Sequence, residues 1–142
     1  MQTRRLALVQ GAYFLGTGLW PILHLRSFEA ITGPKPEGWL VKALGAVIAV
    51  TGATLIAAGA RDRVTAEIAG LAMGSAAALG AVDAVYGLRR RISPVYLGDA
   101  VVEAAIVSAW MVAAARRRRA RRAEAPVRAG PRPRPVATGI RP

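Results

Sequence analysis

Apolar residues come in four long blocks along this chain, separated by short polar punctuation. The blocks run over 6–25, 40–60, 64–88 and 95–115. A helix needs roughly 20 apolar residues to cross about 30 Å of hydrocarbon, and each block meets that length. The apolar positions show no amphipathic rhythm of the kind that marks a soluble core. The pattern predicts an all-α, four-helix transmembrane bundle over 1–115. After Ala115 the composition changes abruptly to arginine, proline and alanine. The segment 116–142 holds ten arginines, one acid and five prolines, too little apolar surface to bury a core, and is expected to be a disordered basic tail.

The punctuation sets the connections. Pro21, near the end of the first span, removes a helical hydrogen bond and predicts a kink or an early stop near Trp20. The longest internal loop, 26–39, is flanked by Trp20 and Trp39 and carries the turn-forming run Thr32-Gly-Pro-Lys-Pro-Glu-Gly38. Arg61-Asp62-Arg63 is a minimal turn, which predicts that spans two and three form an antiparallel hairpin. Gly45, Gly52 and Gly59 recur every seven residues on one side of span two, where they allow close backbone approach. Gly70 and Gly74 make a GxxxG match in span three, for which ordinary packing within the bundle is the simplest use.

Charge adds orientation. The net charge is +12, with 20 Lys and Arg against 8 Asp and Glu. With both termini inside, the inner face collects eleven basic residues, counting the tail's first seven, against six outside. The positive-inside rule therefore favours cytoplasmic termini, with Arg89–Arg91 as the dissenting element. Arginine-rich, alanine-rich composition points to a bacterial source, and so to the inner membrane. The start, Met1-Gln-Thr-Arg-Arg, resembles a signal-peptide n-region. However, the apolar run behind it is about twice the usual length and Trp20-Pro21 is no cleavage site, so an uncleaved first span is expected.

Candidate chemistry is sparse. The chain has no cysteine and one histidine, which excludes thiol catalysis and a multi-histidine metal site within one subunit. No P-loop, GxSxG or HExxH motif is present, and no cofactor or metal is expected. Charges at hydrocarbon depth cost from about +2.5 kcal/mol each and usually face a bundle interior, which singles out Asp83, Asp99 and Glu103. Asp99 and Glu103 are i and i+4 on one helix face. Asp83 lies six residues before Arg89, about 9 Å along a helix, so all three acids fall in one leaflet. They either pair with Arg26 and Arg89–Arg91, or cap the start of span four, or surround a wet proton- or cation-binding pocket. His24, Glu29 and Lys35 of the first loop are candidate contributors. Tyr13, Tyr86 and Tyr96 are possible donors within the bundle, with packing or interfacial roles the simpler assignment.

Arg116, Arg117, Arg118, Arg119, Arg121 and Arg122 follow the last span directly and are expected to contact anionic lipid. Specific nucleic-acid binding is not expected, because the tail offers no aromatic residue for base stacking.

Several short stretches, Gly18-Leu-Trp-Pro21, Ser27-Phe-Glu29, Thr32-Gly-Pro-Lys35, Trp39-Leu-Val41 and Ile92-Ser-Pro-Val-Tyr96 with Asp99, together resemble a family of small bacterial membrane proteins with four predicted spans. The likeness covers roughly 10–115. It implies the four-span architecture and draws attention to the first loop and the start of span four. No activity is established for that family, and no catalytic residue carries over.

Three functions stay open at this level. The first is a non-enzymatic membrane component, such as a homo-oligomer or a subunit binding a membrane partner. The second is a small proton- or cation-coupled carrier using the acids. The third is a membrane enzyme combining those acids with the first loop. Topology is directly testable: reporter fusions after residues 63 and 122 should read cytoplasmic and one after Glu37 external. A periplasmic signal after residue 122 would overturn the orientation.

Overall fold

The computed structural model describes residues 2–124. Among them are five helices: α1 (Gln2–Leu23), α2 (Leu25–Thr32), α3 (Gly38–Ala60), α4 (Ala66–Leu88) and α5 (Val95–Glu124). Four of these, all but α2, are long and apolar enough to cross a membrane. Their outward faces are lined with exposed large apolar side chains, among them Val9, Val47, Val50, Val101 and Met111. A surface of that kind is suited to lipid, which solvates hydrocarbon but cannot satisfy a backbone amide, and helices satisfy their own amides.

The four long helices form two tight pairs, α1 with α3 and α4 with α5, and only sparse contact joins α3 to α4. The expected hairpin of spans two and three is thus corrected. The turn at Arg61–Arg63 reverses the chain, but α3 spends its small-residue face on α1 instead. Gly45, Ala49, Gly52, Leu55 and Gly59 are the buried residues of α3. Opposite them, α1 buries Gly11, Phe14 and Gly18. A Cβ on Gly18 would stand 2.5 Å from the Gly45 carbonyl oxygen, and one on Gly52 would stand 2.6 Å from the Gly11 carbonyl oxygen. Real Cβ atoms do not approach so closely, so the seam requires glycine on both helices. Gly70 and Gly74, by contrast, have open space where a side chain would go, so this GxxxG takes no part in packing among the described residues.

Three boundaries differ from the sequence expectation. Pro21 does not end α1 at Trp20; the helix continues to Leu23, with Pro21 buried against Gly45. The loop 26–39 contains a short helix that apolar periodicity over so few residues did not reveal. In α2 the His24 Nδ1 accepts the Ser27 N–H at 3.2 Å as an N-cap. The indole N–H of Trp20 donates to Ser27 Oγ at 2.8 Å, and Trp20 packs edge-on against Phe28. Gly33, at φ +85°, closes this helix by donating its N–H to the Glu29 carbonyl. Finally, residues 116–124, expected to be disordered, continue α5 as helix. Alanine and arginine are strong helix formers, and a formed helix is extended one hydrogen bond at a time without a new nucleus. The rest of the expected disordered tail, 125–142, lies outside the described residues.

The seam yields a stability prediction. Gly52→Val should lower stability by at least about 1–3 kcal/mol through overpacking, read as a fall in melting temperature in detergent. Gly74→Val should stay within about 0.5 kcal/mol of the parent.

Candidate functional site

Because Gly11 and Gly18 are held against α3, the neighbouring stripe of α1 is turned toward the α4–α5 pair. That stripe reads Gln10, Tyr13 and Thr17 at spacings of three and four. Gln10 is buried and bonded twice: its Nε2–H donates to the Ala72 carbonyl at 2.7 Å, and its Oε1 accepts the Trp110 indole N–H at 2.8 Å. One level along, the Tyr13 hydroxyl donates to the Asp99 carboxylate. These bonds join α1 to both α4 and α5.

Beyond Tyr13 lies a cavity of about 270 Å³. Its walls are mostly apolar, with Phe14, Phe28, Leu44, Ile48 and Leu79 among them, and Asp83, Asp99 and Glu103 reach it from α4 and α5. Tyr13, Thr17, Lys35 and Tyr96 complete its polar lining. The structure therefore brings together the three acids singled out from the sequence, and one of the three loop candidates. Asp83 is 8% exposed and Glu103 1%. The Oε2 of Glu103 has no hydrogen-bond partner among the described residues. Gly80 makes this placement possible, since a Cβ there would stand 2.9 Å from the Glu103 Cβ. A larger residue would push α5 and its carboxylate away from α4.

The anticipated arginine pairing does not form. Arg26 and Arg89–Arg91 are exposed, and Lys35 is the sole cation among the described residues lining the cavity. The short loop after α4 turns back with Arg90 at φ 54°, and three consecutive arginines there keep their charge in water more cheaply than at the bundle interior. Nor does Asp99 cap the start of α5; it lies a full turn in and faces Tyr13.

Lys35 is held at the cavity by the C-terminal end of α2. Its ammonium donates to the carbonyls of Thr32 (2.8 Å) and Gly33 (3.2 Å) and sits 5.2 Å from the centre of the Tyr96 ring. Carbonyls at a helix C-terminus favour a cation. Partial burial moves the lysine below its ordinary pKa, and the nearby Glu29 charge opposes that shift. Glu29 itself accepts the Lys35 backbone N–H at 3.0 Å, and His24 is spent on its cap; neither lines the cavity. Both shape the loop that delivers Lys35.

The sequence places Tyr13 only as a donor within the bundle and leaves Thr17 out, although it carries a signal for both. Polar residues at 10, 13 and 17 form one stripe on an otherwise apolar span. Among the described residues no group of three or more His, Cys, Asp or Glu side chains is arranged to hold a metal ion. Compared with protein-family models, curated proteins and solved structures, the chain matches none.

These contacts separate the roles of two polar residues by stability alone. Tyr13→Phe should cost about 0.6 kcal/mol by removing one interhelical hydrogen bond. Glu103→Gln should leave the melting temperature in detergent unchanged or raise it, because the charge it removes has no counter-ion to strand. A clear loss on Glu103→Gln would show that the carboxylate is a structural partner.

Proposed function

We propose that this protein resides in a bacterial cytoplasmic membrane with both termini inside, and binds a small organic cation in its acidic cavity. The carrier-type reading is thereby favoured over a purely structural component. The observation that carries it is the buried Glu103 carboxylate, with one oxygen unpartnered, opening on a cavity that Asp83 and Asp99 share. Acids at hydrocarbon depth carry a large electrostatic cost that a bound cation offsets. Apolar and aromatic walls suit an alkylammonium group better than a hydrated metal ion, since ring faces attract cations that shed water easily. The donor geometry agrees, because the acids do not form a metal-ligand cluster.

The enzyme reading draws less support. Among the described residues lining the cavity there is no Ser, Cys or His, and Thr17 and Lys35 donate to backbone carbonyls rather than to a neighbouring base. The cytoplasmic placement of the termini rests on the basic residues of Arg4, Arg5, Arg61, Arg63 and the region after Ala115. The likeness to small four-span bacterial membrane proteins agrees with the architecture.

The test uses benzyltrimethylammonium and its neutral isostere neopentylbenzene on the purified full chain in detergent. Calorimetry should detect binding of the cation and at least tenfold weaker binding of the isostere. Glu103→Gln should weaken cation binding tenfold or more, equivalent to about 1.4 kcal/mol. Acidification should weaken it too, since protons compete for the same carboxylates. Equal affinity for both compounds, or full affinity in Glu103→Gln, would overturn the proposal.

A further inference from the structure

A second cavity, of about 470 Å³, lies at the opposite end of the bundle, between the start of α1, the start of α4 and the last turns of α5. Its chemistry is the reverse of the first. Arg117, Arg118 and Arg121 line it from one face of α5, and the hydroxyl-bearing Thr3 and Thr65 line it from α1 and α4. Its described lining includes no acid; Glu67, a residue beyond the α4 start, is exposed and outside it. Arg117 is fixed in place by a hydrogen bond to the hydroxyl of the buried Thr3. The positive end of the α4 dipole points the same way, since Thr65 is its N-cap.

The cavity also has a polarity along the membrane normal. The arginines begin where the apolar part of α5 ends, at Ala115. Trp110, seven residues before Arg117, lies about 10 Å deeper at 1.5 Å per residue, and it lines the same cavity together with Val64 and Met73. A charged mouth at headgroup level above an apolar floor fits a molecule with a phosphate at one end and a hydrocarbon chain at the other. Guanidinium groups bind phosphate oxygens in a bidentate fork, which a diffuse basic surface does not require.

We propose that this cavity is a binding site for the phosphate headgroup of an anionic phospholipid, held by Arg117, Arg118 and Arg121, with an acyl chain lying against Trp110 and Met73. The proposal is sharper than general attraction of the basic segment to the membrane. It assigns the work to three arginines on one face of α5 and leaves Arg119 and Arg122, which do not line the cavity, without a part in it.

The experiment measures lipid retained by the full chain in detergent, by native mass spectrometry. Phosphatidylglycerol and phosphatidylcholine of identical acyl chains are supplied in turn, and inorganic phosphate serves as a competitor. The parent should retain phosphatidylglycerol at least tenfold better than phosphatidylcholine. Arg118→Gln/Arg121→Gln, which spares the Arg117–Thr3 bond and changes exposed residues only, should lose that preference. Arg119→Gln/Arg122→Gln, with the same change in charge, should keep it. Equal losses in the two double variants would overturn the site in favour of diffuse attraction. Displacement of the lipid by inorganic phosphate at matching concentration would overturn the lipid assignment and leave a simple anion site. Unchanged melting temperatures in both variants confirm that folding is not what is read. Should the first variant unfold, Arg121→Lys keeps the charge and removes the fork. Retained preference in that variant would likewise overturn the proposal.

Discussion

The close approach of α1 and α3 through glycine governs the rest of this structure. Helices in hydrocarbon gain little from burying apolar groups, since lipid tails are as apolar as leucine, so association depends on close packing and polar contacts. Gly11 and Gly18 against Gly45 and Gly52 supply that packing at backbone distance. With the seam fixed, the rotation of α1 is fixed too. Its polar stripe of Gln10, Tyr13 and Thr17 then has one direction available, toward α4 and α5.

The joint between the two helix pairs is polar where the joint within the first pair is steric. Gln10 bridges Ala72 and Trp110, and Tyr13 reaches Asp99. Interhelical hydrogen bonds in membranes average only about 0.6 kcal/mol, so these few bonds specify alignment more than they add stability. A joint of that kind leaves room beside it. The acidic cavity occupies that room, bounded by α1 and α3 on one side and the acids of α4 and α5 on the other.

Charge is sorted along the bundle axis. Among the cavity-lining side chains, carboxylates gather in the half that carries α2 and guanidinium groups at the end where α1 begins and α5 leaves the apolar zone. Arg26 and Arg89–Arg91 share the acids' end but lie exposed. The Gln10–Trp110 bond and the small apolar cluster of Ala7, Leu55, Ala72 and Trp110 lie between the two. That neutral layer separates the acids from Arg117, Arg118 and Arg121. The carboxylates stay short of counter-ions because Arg26 and Arg89–Arg91, at their own end, are exposed, and Lys35 does not make up the deficit because its ammonium is engaged by the Thr32 and Gly33 carbonyls.

The four spans were legible from sequence because hydrocarbon imposes a length and a composition on any segment that crosses it. The same energetic rule marked Asp83, Asp99 and Glu103 as inward-facing, and the i, i+4 spacing put the last two on one face. Pairing of the helices was not legible: the turn at Arg61–Arg63 suggested one neighbour, whereas the partner of the α3 glycines depended on matching glycines in α1 a long way off in sequence. The small-residue signals of the two spans, Gly45, Gly52 and Gly59 in one and Gly70 and Gly74 in the other, likewise looked alike in the chain, yet the first is packed and the second is open. α2 is not legible in the sequence because eight residues are too few to show a period, and its cap is a histidine. The fate of the arginines also depended on tertiary structure, since proximity in sequence places charges at one depth but cannot say which face of which helix they share. Depth in the membrane is set by local composition, and so can be read from the chain; rotation about each helix axis is set by which surfaces meet, and had to come from the fold.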